Sequence, residues 1–290
     1  MTTFRRVCST PAQACFIIIL TSLVFAMSVN AQDTRPPVYV SYSYIKTAPG
    51  KFDSYDSLLK TYSKKIVENG IKNGDYLQWS SYEVLSPTGS QADYNVVVIM
   101  VSDKIEMLLD PPGTVKELMA KNFPNLSQAQ RDNVSKKFGE ARTMVKREIY
   151  AVMSTTGEND GPPTKNAPKY ITMDYMSPVP GKEGEYVTME IEKFKPIHKE
   201  RIKLGATQGW AMLRKVMPSD SNDAAPFVTV GFYDNFNGMM DGKYEQAMKA
   251  VYPTEDATKV FDKINTVKKG QRVEVWKLMV ADSMRGVAAR

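Results

Sequence analysis

Beyond position 31 the sequence has no cysteine, since Cys8 and Cys15 both precede it. Disulfides and thiolate metal sites are thereby excluded for residues 32–290. Histidine is almost as scarce. His198 is the only one in the chain, so a zinc site, which needs several nitrogen or sulfur ligands, is not expected, and no metal site is assigned. Concentrated charge is also missing. Setting aside Arg5 and Arg6, 36 basic residues face 32 acidic ones, with no run of Lys or Arg of the kind that tracks a phosphate backbone. Nucleic acid is therefore not an expected partner. The longest apolar run, Ala14 to Met27, falls short of the ~20 residues a membrane span needs.

That run follows Arg5 and Arg6 and is followed by Val29-Asn30-Ala31. A basic start, a short apolar stretch and small residues at the cut describe a secretory signal peptide over 1–31, which predicts a periplasmic or secreted protein with no membrane contact after cleavage. Cys15 lies at the start of the apolar run rather than after it, the wrong end for a lipid attachment site. The remaining chain is long enough for two domains of ~100 to 130 residues with ordinary apolar cores.

The main pattern is an internal repeat at a constant offset of 131. Tyr39 meets Tyr170, Tyr44 meets Tyr175, Pro49-Gly50-Lys51 meets Pro180-Gly181-Lys182, and Trp79 meets Trp210 without a gap. The first copy, 32–153, opens with a strand near 37–45 rich in β-branched and aromatic residues. A Pro-Gly turn leads to a helix with the stripe Tyr55, Leu58, Tyr62, Ile66. Strands 75–85 and 94–101 follow, then helices interrupted at Phe123-Pro124, with Ser127 and Gln130 spaced as a capping box, then a strand from 146 to 153. Residues 154–168, rich in Gly, Pro, Ser and Thr, read as a linker. The second copy, 169–290, repeats the order.

One such β-α-β-β-α-β unit covers a single face of its sheet, and the first strands carry large apolar residues on both faces. Two antiparallel sheets facing each other, helices outside, would satisfy both. The chain therefore resembles the dimeric α/β-barrel superfamily in tandem form: an α+β fold of two ferredoxin-like repeats packed as an intramolecular barrel. The stretch Pro196-Ile197-His198-Lys199-Glu200-Arg201-Ile202-Lys203-Leu204-Gly205 with Gly209-Trp210 also resembles exported proteins of Bacteroidetes-type bacteria. The superfamily includes cofactor-independent and haem-degrading monooxygenases, chlorite dismutases, isomerases and ligand binders. The resemblance thus implies a small-molecule pocket and leaves the chemistry open.

Differences between the copies point to the second. Ser43 becomes Asp174, Leu59 becomes Glu190, Tyr62 becomes Lys193, Val67 becomes His198 and Gly70 becomes Arg201. His198 and Asp174 are the candidate acid–base residues, one titrating near neutrality and the other on a central strand where burial would raise its pKa. Pro196 should kink the helix beside His198. Trp210, Tyr175, Arg201, Glu190 and Trp79 are the candidate ligand-binding residues. No cofactor is expected, with haem on His198 as the alternative. The methionines are scattered, as core filling requires. The sequence thus predicts an exported binder of a small, partly apolar or aromatic molecule in a pocket of the second copy. A cofactor-independent, monooxygenase-like enzyme and a non-catalytic scaffold are the alternatives.

Overall fold

The first three strands of the second copy begin 131 residues after those of the first, and its last strand begins 126 after. In the computed structural model, which describes residues 36–89, 92–111, 113–219 and 225–283, β1 is Tyr39–Thr47, β2 Gln78–Ser86, β3 Val96–Ser102 and β4 Arg142–Thr155. Their counterparts are β5 (Tyr170–Pro178), β6 (Gly209–Met217), β7 (Phe227–Tyr233) and β8 (Lys268–Ser283). The helices of the first half are α1 (Phe52–Leu58), α2 (Lys64–Lys72), α3 (Ile105–Leu109), α4 (Val115–Asn122) and α5 (Gln128–Ala141). Those of the second are α6 (Glu183–Thr188), α7 (Lys195–Lys203), α8 (Phe236–Met240), α9 (Tyr244–Val251) and α10 (Ala257–Val267). The proposed signal peptide lies outside the described residues. Among those described, no helix is long and apolar enough to cross a membrane.

All eight strands pair antiparallel in one closed barrel, in the order β1-β3-β2-β8-β5-β7-β6-β4. From Pro37 on the chain is one compact unit. β4 and β8 run longer than the apolar pattern suggests, because each joins the two halves. β4 pairs with both β1 and β6, and β8 with both β5 and β2. Their first residues, Arg142 to Arg147 and Lys268 to Arg272, are largely charged and half-buried or exposed, so alternation could not reveal them as strand.

Side chains alternate across the barrel wall. Tyr42, Tyr44, Tyr82, Tyr94, Tyr150, Tyr175 and Trp276 face inward and fill the interior with the aliphatic residues between them. Tyr42 meets Tyr150 and Trp276 edge-on at ring centroid distances of 5.4 and 5.8 Å. Each large aromatic withdrawn from water contributes on the order of 1.5–3 kcal/mol. Two carboxylates share this interior. Glu148 accepts from Tyr150 (3.0 Å) and pairs with Lys146 and Lys215, both at 3.1 Å. Glu274 accepts from Tyr94 (2.5 Å) and Trp276 Nε1 (2.8 Å) and pairs with Arg272 (2.8 Å). Between them the hydroxyls of Tyr44 and Tyr175 lie 3.2 Å apart.

The outward residues pack under helices in two further cores, one per half. In each half the first helix widens into a π-helical turn, at Leu59–Ser63 and Met189–Phe194. The kink expected from Pro196 is therefore not proline's doing: the first half has the same wide turn with Lys65 in proline's place. α2 and α7 end on Gly74 and Gly205 at positive φ, which lets Asp75 N reach Gly70 O (2.9 Å) and Ala206 N reach Arg201 O (2.9 Å). The connection between halves is anchored by Asp160, whose carboxylate accepts from Ser154 (2.8 Å), Thr155 N (2.7 Å) and Lys195 (2.5 Å).

Candidate functional site

Asp174, Glu190, His198, Arg201 and Trp210 all lie in the layer between the second half's helices and the outer face of its strands. The His198 ring stacks on Trp210 at a centroid distance of 5.0 Å and 11° between planes, and Tyr244 meets it edge-on at 5.8 Å. Arg201 Nη1 is 2.9 Å from His198 Nδ1, its Nε donates to Gly242 O at 2.6 Å, and its guanidinium sits 3.7 Å over the Tyr244 ring. Burial first, and the Arg201 charge second, hold His198 well below the usual imidazole range. It is neutral at physiological pH. Burial pushes Asp174 up to about 6 and Glu190 up to about 7, with Lys268 the main opposing charge for both. Tyr186, wholly buried, is close enough to Glu190 to be perturbed by it, yet its hydroxyl has no hydrogen-bond partner of good geometry.

These side chains themselves take up much of the space between helix and sheet. His198 is 6% exposed, Glu190 5% and Arg201 2%. Three large polar groups stand where the first half has Leu59, Val67 and Gly70. Lys193 turns outward to Glu255 (2.7 Å). Tyr175 does not join the group. Neighbours on a strand point to opposite faces, so Asp174 directs Tyr175 into the barrel, where it bonds to Tyr44 and lies under Arg272. Trp79 is likewise elsewhere, in the corresponding layer of the first half.

That layer holds the open space. A cleft of about 220 Å³ lies between the outer face of the first half's strands and α1, α3, α5 and the π turn. Ser41, Ser43, Trp79, Val98 and Met100 form its floor, and Tyr55, Leu59, Ser63 and Phe138 its roof. Tyr76, Met107, Arg142, Met144 and Arg147 also line it. Ser43 and Ser63 line it where the second half has Asp174 and Phe194, although Met100 and Met107 stand where that half has Gly231 and Gly238. Gly70 allows the Tyr76 ring to lie against the helix, since a Cβ there would meet that ring at 2.7 Å. None of the lining residues is Asp, Glu or His. A wider hollow of about 590 Å³ at Lys46–Gly50, Phe52, Asn95 and Thr143 is a surface depression, also in the first half.

Arg142 and Arg147 are the residues the sequence did not single out. Arg142 Nε is buried and has no hydrogen-bond partner, and its guanidinium carbon lies 5.9 Å from the Tyr55 ring centroid. Burial pushes the Tyr55 hydroxyl up to about 12, with the Arg142 charge opposing. Arg147 makes two long contacts, to Ser43 Oγ and Leu108 O, both 3.4 Å.

The chain matches no protein-family model and no curated protein. Solved structures do resemble it. A putative monooxygenase from Fusobacterium nucleatum is 9% identical with a TM-score of 0.52, over 88% of this chain and 97% of that one. A putative monooxygenase from Lactobacillus acidophilus is 12% identical (TM-score 0.45, 87% and 98% covered). A novel heme-binding protein from Thermus thermophilus is 10% identical (TM-score 0.48, 83% and 91% covered). At these identities the likeness shows a shared fold alone. It also corrects one expectation: a heme-binding protein is among the neighbours, so the inference that no cofactor is needed does not stand. His198, however, does not suit an axial ligand as placed, its ring enclosed by Trp210 and Tyr244 and its Nδ1 engaged by Arg201.

Proposed function

We propose that the chain is an exported small-molecule-binding protein that holds its ligand in the cleft of the first half. On this reading residues 1–31 are a cleaved signal peptide. The mature protein is a tandem of ferredoxin-like repeats, 32–153 and 169–290, that supplies both halves of the barrel. The observation that carries the proposal is the asymmetry of the two helix–sheet layers. One buries its own Glu190, His198 and Arg201, and the other has a cleft beside Trp79. The open layer has the aromatic, partly polar lining that binding sites use.

A monooxygenase-like reaction in the same cleft is the second reading. It takes second place because Asp174 and His198, the acid–base candidates, lie in the other half. Native mass spectrometry on protein purified from its own compartment tests the proposal, with Ser63→Phe, which fills the roof of the cleft, as the comparison. A bound mass in the wild type that disappears in Ser63→Phe supports it. An equal bound mass in both places the ligand elsewhere.

A further inference from the structure

We infer that the cleft takes a planar aromatic molecule bearing an anionic oxygen, a carboxylate or phenolate; this rests on the cleft proposed above and names its ligand class. The argument begins with the unpaired donor. Arg142 Nε is buried without a partner, and a buried donor left in that state is costly, so an acceptor that enters recovers the loss. Arg147, at the same cleft, is held only by contacts at the outer limit of hydrogen bonding. A guanidinium presents donors in a fixed fork that matches two carboxylate oxygens or one phenolate.

The charge balance decides the sign. No acidic residue lines the cleft to neutralise the two guanidinium groups, so a cation is disfavoured even though Met100, Met107 and Met144 offer thioethers. The remaining walls decide the shape. Trp79 and Tyr55, each 2% exposed, border the space with Tyr76 and give it an aromatic edge, and the methionines adapt to a ligand's outline. About 220 Å³ corresponds to roughly seven waters at about 30 Å³ each, enough for one or two fused rings and their acid group.

Isothermal titration calorimetry on the mature protein with benzoate and 1-naphthoate, against benzamide and 1-naphthamide, tests the assignment. The acids should bind at least tenfold more tightly than the amides, the discrimination expected of a charge-assisted hydrogen bond in a partly buried site. Arg142→Leu should reduce that ratio below about threefold. If Arg142→Leu does not fold, Arg147→Gln should lower the ratio instead. Amides binding as well as acids would overturn the anion assignment and leave the cleft standing. Absence of binding by all four probes, or binding that Ser63→Phe leaves intact, would overturn the cleft itself.

Discussion

Replacing Arg201 with methionine removes the group that closes the second half. The stem is kept and the guanidinium lost, so Gly242 O and His198 Nδ1, at 2.6 and 2.9 Å from its nitrogens, lose their partner, and Tyr244 loses the charge 3.7 Å from its ring. Hydrogen bonds to a charged group are worth about 1.5–3 kcal/mol each and a desolvated cation–π contact about 2 kcal/mol. Against that stands the relieved cost of holding a guanidinium at 2% exposure, several kcal/mol. The net expectation is a loss of about 3 kcal/mol. In a protein of this size that lowers Tm by about 6–12 °C, since each kcal/mol is worth ~2–4 °C. Urea unfolding followed by circular dichroism measures the loss.

The same variant has a second readout, because the only histidine gives the only imidazole resonances. In the wild type the His198 signal should be that of the neutral ring at pH 7 and above. In Arg201→Met its pKa should rise as the neighbouring charge disappears, while remaining depressed by burial. A loss under 1 kcal/mol with an unmoved His198 pKa would refute the packing described for this layer.

Glu190→Gln should remove a pH dependence. The carboxyl's folded value of about 7 exceeds its ordinary 4.5, so the folded state holds the proton longer and stability falls as pH rises through that window, by about 3 kcal/mol at most. The variant should be flatter between pH 4.5 and 7 and more stable above it in urea titrations; an unchanged slope would exclude Glu190 as its source. In the barrel, Glu274→Ala strands Tyr94, Arg272 and Trp276 Nε1 and should cost about 3–5 kcal/mol, against about 1 kcal/mol for Tyr44→Phe. Equal losses in calorimetry would contradict that ranking. Asp160→Ala frees the anchored connection and should speed limited proteolysis between 156 and 168 with little change in Tm.

Much of the fold was legible because like strands start alike. Tyr39 and Tyr170, Gln78 and Gly209, Val96 and Phe227 each open a strand at the 131 offset. Tyr44 and Tyr175, matched only as letters in the sequence, touch inside the barrel. The full lengths of β4 and β8 were hidden because charged strand ends carry no apolar alternation. At the site, the sequence showed that Asp174, Glu190, His198 and Arg201 belong together, but polarity alone cannot say whether such groups line a space or fill it. Volume decides that, and Arg201 against Gly70 was the informative pair. Placing Tyr175 beside Asp174 conflicted with the strand's period of two.

The three tryptophans allow the central claim to be tested in one spectrum, since each reports on a separate compartment. Trp79 lines the cleft, Trp210 lies under His198, and Trp276 is in the barrel. Fluorine NMR on 5-fluorotryptophan-labelled protein, assigned by substitution, should show the Trp79 resonance alone shifting as ligand is added. A shift of the Trp210 resonance with Trp79 unmoved would return the site to the second half and contradict the account.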